Sequence, residues 1–376
     1  MKYKEYLMEE VLEAIIDYRG KTPQKSETGI PTLSAKTVKN NYINYSDCYF
    51  ISEEEYKRFM VRGFPKVGDI LLTTEAPLGQ VARLDRDDIA LAQRLITLRG
   101  KHGVLDNDYL LYFLQSPHGQ ALLKARETGT TVTGIKQSEF RKIVIELPEY
   151  SVQRKICSIL RSIDDKIVTN NKINDNLQQQ AAALFESWFA SFDQTDGEMP
   201  ADWRKGTLGE LTTITSGKRP PMKQPTATVD VKIPLVGAAA VMGFTNAILY
   251  NEPILVTGRV GTHGVVQRFQ SPCWTSDNTL VIKSKFYEYT FQVLQRIDYV
   301  NMNRGSTQPL ITQTDLKNVS IVIPTEAVLL EYEKIAGTLM AMYESNRIEN
   351  ERLATLRDTL LPSLMNGEID VSDIDI

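Results

Sequence analysis

Three features of this sequence have residue types that could take part in chemistry. The segment Gly258–Gly264 is rich in glycine and contains Arg259, as a phosphate- or cofactor-binding loop would. Asp69 and Glu75 resemble the carboxylate pair of a nuclease. Histidine, the commonest metal ligand, occurs at only three positions, which are His102, His118 and His263.

None of these features has the spacing that its chemistry requires. No helix is predicted after the glycine-rich segment, so we interpret it as a turn whose amides and Arg259 lie near a phosphate. No lysine follows the two carboxylates at a nuclease-like spacing, and the histidines are not spaced as metal ligands. A Walker-type loop and the acidic-or-Asn, Pro, Pro, aromatic motif of an adenine methyltransferase are also absent. We therefore predict a chain with no catalytic residue and no metal site.

The composition indicates a multidomain protein in a reducing compartment. The 376 residues suffice for two or more domains, and 42% of them are hydrophobic. The chain contains no apolar run long enough for a membrane helix and no apolar stretch typical of a signal peptide at its start. The three cysteines, Cys48, Cys157 and Cys273, lie far apart, which favours free thiols and a cytoplasmic location.

The charge is distributed unevenly along the chain. The overall net charge is −4, which is unusual for a protein that binds nucleic acid. Residues 1–150 are neutral, whereas residues 200–324 have a net charge of +5 and residues 325–376 a net charge of −7. The acidic residues are therefore concentrated in the C-terminal stretch, and partner subunits would supply part of any phosphate contact.

The chain contains an internal repeat of about half its length. Residues 129–137 match residues 305–313 at an offset of 176, and both continue into a strand-like run that ends at Pro148 or Pro324. Further upstream, Gly20–Pro23 resembles Gly217–Pro220, and residues 68–74 pair with residues 252–258. Both halves are predicted to be mixed α/β domains, each with a helix, near Tyr109–Lys124 and Tyr287–Arg296.

A long helix is predicted after each proline, because apolar residues recur there at 4-3 spacing. This spacing is typical of a coiled coil. In the first helix the coiled-coil positions are Ile156, Leu160, Ile163, Ile167, Leu177 and Leu184. In the second helix they are Ile335, Leu339, Met342, Leu353, Leu356 and Leu360. Polar residues interrupt both stripes, at Asn170 and Asn174 and at Asn346 and Glu349.

Two arrangements of these helices remain open at this stage. Each helix could fold back on its own domain, or the two could pair with each other in antiparallel fashion, with the interrupting polar residues meeting midway. The polar linker at 193–203, which contains Gly and Pro, favours the second arrangement because it can return the chain.

The predicted fold class is therefore α+β. It comprises two mixed α/β domains separated by two long antiparallel coiled-coil helices, with pseudo-two-fold symmetry. The predicted boundaries are 1–149 for the first domain, 150–192 for the first spacer helix, 193–203 for the linker, 204–324 for the second domain, 325–370 for the second spacer helix and 371–376 for the tail.

Several motifs resemble those of Type I restriction–modification specificity subunits. Leu184–Phe189 and Leu360–Ile369 are similar to the ends of the two helices of that family, and Pro200–Trp203 followed by Thr207–Leu211 is similar to the opening of a recognition domain. The junction of Leu147 and Pro148 with Gln153–Ile156 also resembles the family. Two departures are the second junction, Tyr332–Ile335, which lacks the usual Gln, and the first domain's opening at Val11–Ala14.

The resemblance implies a DNA-reading subunit that performs no catalysis. Each domain would read one half of a bipartite, asymmetric site in double-stranded DNA, and the helices would set the gap. The expected partners are two methyltransferase subunits, docked on the apolar outer faces of the helices, and restriction/translocase subunits for cleavage. No cofactor is expected on this chain; S-adenosylmethionine, and ATP with Mg for cleavage, would bind the partners.

Candidate DNA-binding residues were chosen from loops at matched places in the two halves. Arg and Lys can recognise guanine, Asn and Gln adenine, and Thr methyl groups can contact thymine. In the first domain the candidates are Arg19, Lys21, Lys36, Lys39, Thr73, Thr74, Thr130 and Thr131. In the second domain they are Lys218, Arg219, Arg259, Thr262, His263, Arg304, Ser306, Thr307 and Gln308.

Two other functions remain open. The chain could be the recognition module of a bifunctional restriction enzyme whose catalytic domain lies on another chain. It could also be a structural adaptor whose repeated domains bind protein, in which case the assembled complex would show no sequence-dependent affinity for DNA.

Overall fold

A computed structural model describes residues 2–18, 20–129, 133–262, 264–302 and 310–374. The chain forms two compact units. The first comprises Met1–Thr169 together with Glu349–Ile376, and the second is Asn170–Ile348. Each unit therefore combines one globular domain with segments of two long helices.

The first unit is built on an antiparallel four-stranded sheet with the order β2-β10-β7-β8. A three-stranded sheet β6-β3-β9 and the pairs β1-β11 and β4-β5 complete its strands. The strands are β1 (Lys4–Leu7), β2 (Leu12–Asp17), β3 (Ile30–Leu33), β4 (Val38–Lys39), β5 (Tyr42–Ile43), β6 (Tyr49–Ile51), β7 (Ile70–Thr73), β8 (Val81–Arg83), β9 (Ala90–Leu91), β10 (Leu95–Gly100) and β11 (Val144–Leu147). The helices are α1 (Met8–Val11), α2 (Glu53–Phe59), α3 (Asn107–Gln115), α4 (Pro117–Ala125) and α5 (Gln137–Phe140).

The second unit repeats this topology. Its sheets have the orders β13-β19-β16-β17, β15-β14-β18 and β12-β20, which correspond to β2-β10-β7-β8, β6-β3-β9 and β1-β11 of the first unit, while among the described residues the β4-β5 pair has no counterpart. The strands are β12 (Arg204–Thr207), β13 (Thr212–Ser216), β14 (Ile233–Val236), β15 (Val241–Thr245), β16 (Ile254–Gly258), β17 (Gln267–Phe269), β18 (Trp274–Thr275), β19 (Thr279–Ser284) and β20 (Ser320–Ile323). The short helices are α7 (Leu208–Leu211), α8 (Tyr287–Gln295), α9 (Tyr299–Met302) and α10 (Gln313–Lys317). The structure thus confirms the internal repeat.

The openings of the two domains are more alike than the sequence analysis proposed. Glu10 accepts a hydrogen bond from the backbone N of Leu7 at 2.7 Å, and Glu210 accepts one from the backbone N of Thr207 at 2.7 Å. The two glutamates therefore occupy the same place at the start of α1 and α7. The first domain opens at Met8, one turn before Val11, and the apparent departure at Val11–Ala14 was an error of alignment.

Two continuous helices, α6 (Tyr150–Phe189) and α11 (Glu326–Met365), are each 40 residues long. In the first unit, Asp164 of α6 forms an ion pair with Arg357 of α11 at 2.8 Å. In the second unit, Asn174 Nδ2 donates to the carbonyl of Tyr343 at 3.2 Å, and Asn346 Nδ2 donates to Asn174 Oδ1 at 3.0 Å. Residue numbers rise along α6 as they fall along α11, so the pairing is antiparallel, as predicted.

The row of α6 side chains facing α11 follows the predicted stripe. Ile156, Leu160, Ile163 and Leu177 are buried, whereas Ile167 and Leu184 are half-buried. The polar interruption is real as well, because Asn170 and Asn174 lie within the buried face. An amide pair such as Asn174 with Asn346 fixes the register of a helix pair, since any shift would leave a buried amide without its partner.

The stripe predicted for α11 is partly wrong. Ile335, Met342 and Leu356 are exposed, at 39%, 52% and 47%, and Leu339, Leu353 and Leu360 are only half-buried. The buried face of α11 is rotated around the helix axis relative to the predicted stripe. It contains Leu329, Tyr332, Ala336 and Met340, which the apolar spacing did not select. The exposed apolar residues therefore lie on the outer side of α11 and not in the pair.

Each domain core is completed by the end of the helix that is distant in sequence. In the first unit, Leu364 and Met365 of α11 join a cluster that contains Tyr109 of α3 and Ile156 of α6. In the second unit, Phe185 and Phe189 of α6 join a cluster with Tyr289 and Tyr332. The ring centroids of Phe189 and Tyr332 are 5.0 Å apart.

The N-terminus of α8 is capped by a residue of α11. Glu333 accepts hydrogen bonds from the backbone N of Glu288 at 3.0 Å and of Tyr289 at 2.8 Å. Phe286, the residue before α8, makes no side-chain cap. Glu333 therefore supplies the acceptor oxygens for the first backbone N–H groups of α8, as Asp106 does locally for α3. Burial raises the pKa of Glu333 to about 7. The hydrogen bonds from the two backbone N–H groups lower this pKa, but their effect is smaller than that of burial.

We predict that Asn174→Ala destabilises the protein by about 1–3 kcal/mol, because it removes two hydrogen bonds worth about 0.5–1.5 kcal/mol each, one from the half-buried Asn346 amide and one to the Tyr343 carbonyl. Unfolding in urea followed by circular dichroism measures the effect. The exposed Gln179→Ala on the same helix is the matched control and should change stability by less than about 0.5 kcal/mol. Equal effects of the two substitutions would contradict a role for the amide pair.

Glu333 should make stability depend on pH. Because its folded pKa of about 7 exceeds its ordinary value of 4.5, its contribution is present below about pH 4.5 and is lost as the pH rises through about 7. The loss amounts to at most about 3 kcal/mol. Urea unfolding at pH 5 and pH 8 should show this fall in the wild type and a smaller one in Glu333→Gln. The exposed Glu331→Gln serves as the control and should retain the wild-type slope.

Candidate nucleic-acid interface

Several of the predicted DNA-binding residues lie in loops at one end of each four-stranded sheet. In the first unit, the antiparallel order places the C-terminal ends of β2 and β7 beside the N-terminal ends of β8 and β10. The loops at this end, which we call the loop end of the sheet, are formed by residues 18, 20–29, 74–80 and 92–94. In the second unit the corresponding loops are formed by residues 217–232, 259–262, 264–266 and 276–278.

Backbone hydrogen bonds join the loops in the same way in both units. In the first unit, Thr74 N donates to the carbonyl of Arg94 at 3.0 Å, and Ile135 N donates to the carbonyl of Thr74 at 2.9 Å. This places residues 133–135 against the β7–β8 turn.

In the second unit, Arg259 N donates to the carbonyl of Asn278 at 2.8 Å, and Ile311 N donates to the carbonyl of Arg259 at 3.0 Å. The bridge between Glu75 and Gly134 in the first unit likewise corresponds to that between Val260 and Leu310. These main-chain bonds do not depend on side-chain identity, so the same framework carries different side chains in the two units.

Several candidate residues are accessible at or near the loop ends. Lys21, Lys36, Lys218, Arg219 and Thr262 are exposed, and Lys39 and Arg259 are half-buried. Eight further candidates lie outside the described residues, namely Arg19, Thr130, Thr131, His263, Arg304, Ser306, Thr307 and Gln308.

Thr73 and Thr74 were wrongly predicted to contact DNA. Thr73 is fully buried, and its Oγ1 donates to the carbonyl of Pro77 at 2.6 Å and accepts from Gln80 N at 2.9 Å. Thr74 is 1% exposed. The error has a physical cause, because β7 continues through Thr73 and the hydroxyl of that residue closes the following turn instead of projecting from it.

The lysine candidates occupy loops with a defined backbone. Lys39 lies in the β4-β5 hairpin, which is tied to β8 because Asn40 N donates to Gln80 Oε1 at 3.0 Å. The carbonyl of Lys218 accepts from Trp274 Nε1 at 2.8 Å. The loop of Lys218 passes so close to its neighbours that a Cβ at Gly217 would lie 2.1 Å from the carbonyl oxygen of Ser276. These loops therefore present their side chains from fixed positions.

The sequence analysis missed two polar residues at the loop ends. Arg94 forms an ion pair with Glu75 at 2.9 Å, and half of its side chain is exposed. Asn278, which is also exposed, occupies the matching place in the second unit. Both lie in loops of two or three residues between short strands, which a periodicity analysis does not separate from the strands themselves.

Asp69 and Glu75 lie at opposite ends of β7. Asp69 is buried and bonds to Arg99 through both oxygens at 2.7 Å, at the opposite end of β7 from Glu75, so the two carboxylates do not form a pair. Residues 259–262 and 264–266 after Gly258 contain no helix.

Within the described ranges, no group of three or more His, Cys, Asp or Glu side chains is placed to hold a metal ion. Nor does any helix in the described part of the chain have the length and apolar character to cross a membrane.

The comparisons with known proteins agree with one another. The Type I restriction modification DNA specificity domain matches residues 2–179 and 200–358. The MjaIX specificity subunit of Methanocaldococcus jannaschii is 26% identical over 384 residues, covering 92% of this chain and 88% of the relative. The HindI specificity subunit of Haemophilus influenzae is 22% identical, covering 81% and 87%.

A solved structure resembles the whole chain. The S subunit of a Type I restriction–modification system from M. genitalium has a TM-score of 0.62 at 17% identity, with coverage of 97% of this chain and 96% of that one. At this identity the likeness concerns the fold alone. The family match, by contrast, covers both halves of the repeat, and this protein belongs to the Type I restriction–modification DNA specificity family.

Proposed function

We propose that each domain of this specificity subunit reads one half of a bipartite, asymmetric DNA site, and that α6 and α11 set the gap between the halves. The observation that carries the proposal is the loop framework, which is built twice with the same main-chain bonds and with different side chains. Two similar frameworks suit the repeated geometry of duplex DNA, and unlike side chains imply unlike half-sites.

The accessible charges favour DNA over protein as the ligand of the loop ends. Lys21 in the first unit and Lys218 and Arg219 in the second are exposed cations at the loop ends, and the exposed Lys36 lies between β3 and β4 of the first unit. Such residues contact phosphates and fix the position of a protein on the duplex, while neighbouring polar side chains select the bases. A structural adaptor would not need cations at equivalent ends of both sheets.

The proposed partners dock on the outer side of the helices. Leu330, Ile335, Met342 and Leu356 of α11 are 39–52% exposed, and large apolar residues exposed in this way along one helix commonly mark an interface. We propose that two methyltransferase subunits bind there and that they carry S-adenosylmethionine. Restriction/translocase subunits would join them for cleavage, using ATP with Mg, and this chain would perform no catalysis.

Methylome sequencing of cells that express this chain with its methyltransferase partner tests the readout. We expect modified adenines in one bipartite motif with a fixed gap. Replacing residues 1–149 by the corresponding domain of another family member should change one half-site only, because each framework reads independently. A simultaneous change of both half-sites would contradict modular readout.

A matched deletion in both helices tests the gap. Removal of residues 167–173 and 347–353 takes one heptad from each helix in segments that face each other, given the pairing of Lys166 with Glu349 and of Asn174 with Asn346. Seven residues correspond to about 10 Å of helix, or about three base pairs, so the gap should shorten by that amount while both half-sites persist. An active variant with an unchanged gap would show that the helices are not the ruler.

A further inference from the structure

We infer that Arg94 and Asn278 are equivalent base-reading positions, at which Arg94 selects a guanine in one half-site and Asn278 an adenine in the other. The inference rests on the proposed function and adds residue-level specificity to it. Neither residue was among those predicted from the sequence, because their equivalence appears only when the loops are folded.

The main chain establishes the equivalence. The carbonyls of Arg94 and Asn278 accept the bonds from Thr74 N and Arg259 N, respectively, and each precedes the strand that lies second in its four-stranded sheet, β10 or β19. Both residues therefore stand at the loop end, beside the turn that leaves β7 or β16. This position adjoins the segments that begin at 133 and 310.

The backbone of Arg94 has a conformation that arginine seldom adopts. Its φ is +67°, a left-handed conformation that glycine or asparagine adopts far more readily than arginine. Residues held in this way cluster at functional sites, where the surrounding structure fixes them. Here the fixing contacts are the carbonyl bond to Thr74 N and the bond from the adjacent Gln93 side chain to Thr22 Oγ1.

Glu75 positions the guanidinium of Arg94. Glu75 Oε1 lies 2.9 Å from Arg94 Nε, and the Arg94 side chain is 50% exposed. Contact through Nε restrains the orientation of the group while its terminal nitrogens extend furthest from the chain. An oriented guanidinium can donate two parallel hydrogen bonds to O6 and N7 of guanine in the major groove.

Asn278 supplies the complementary chemistry in the second unit. The side-chain amide has one acceptor and two donors, so it can bond to N6 and N7 of adenine. The residue is exposed, and its backbone is held by Arg259 N at 2.8 Å. The exposed Lys218 belongs to a loop at the same end of the sheet, where Trp274 Nε1 donates a hydrogen bond to its carbonyl. The Lys218 ammonium group provides a cation to position the duplex.

The test compares point variants of the full chain in complex with its methyltransferase partner. Arg94→Ala should make one guanine position of one half-site degenerate, and Asn278→Ala should do the same to one adenine position of the other half-site. Methylome sequencing and selection of bound duplexes from a library randomised over both half-sites give the two readouts. We expect at least a tenfold loss of preference at the affected position, as for one bidentate contact.

Two controls match these variants. Arg86→Ala removes an exposed arginine of the first unit that pairs with Asp88 beyond the opposite end of β8, and Asn318→Ala removes an exposed asparagine of the second unit. Both should leave the motif intact. Glu75→Gln should weaken the guanine preference less than Arg94→Ala does, because Glu75 acts only by positioning.

Failure of the base-reading roles of Arg94 and Asn278 can be distinguished from failure of bipartite DNA recognition. If the wild-type complex selects no bipartite motif, the proposed function fails. If it selects one and Arg94→Ala leaves every position unchanged, alters both half-sites or abolishes binding to all duplexes, Arg94 is not a base reader. Asn278 is judged in the same way in its own half-site.

Discussion

The structure depends on the completion of each domain core by a helix end that is far away in sequence. Leu364 and Met365 lie among residues of the first domain, and Phe185 and Phe189 lie among those of the second. Neither domain can therefore bury its apolar residues without both helices. Large buried side chains of this kind contribute about 1.5–3 kcal/mol each, which is a substantial fraction of the stability of a single domain.

Register follows from the same packing. Apolar contacts along two long helices tolerate a shift of one turn, because one aliphatic side chain can replace another. The amides of Asn174 and Asn346 do not tolerate it, since the shift would separate them and leave the buried Asn174 without this partner. The helix ends and the amide pair together specify one alignment, and the sheets and their loop ends are placed accordingly within each unit.

Much of this arrangement could be predicted from the sequence, and particular residues show where prediction failed. The duplication follows from the offset of 176 and the two long helices from apolar spacing, whereas the antiparallel pairing was one of two open arrangements, the one favoured by the linker at 193–203. The buried face of α11 was misplaced, because Tyr332 and Ala336 occupy positions where Ile335 looks the better candidate. An aromatic ring packed on another and a small residue at a close approach are not visible in a hydrophobic pattern.

At the interface, the sequence located the loops but not the side chains that they present. Thr73 and Thr74 have the right chemistry and lie buried, whereas Arg94 lies between two short strands and is exposed. Which side of a turn faces outward depends on strand ends that shift by a residue or two, and only the folded backbone decides it.

The main-chain bonds that join the loops have a consequence for evolution. Because peptide groups make them, substitution at Arg94 or Asn278 alters what the surface selects without loosening the scaffold beneath. Substitutions that would destabilise a buried core can accumulate at these exposed positions. Each of them gives a different base preference while the main-chain framework stays the same. Such a lineage can diversify its targets while the main-chain framework of each domain stays the same.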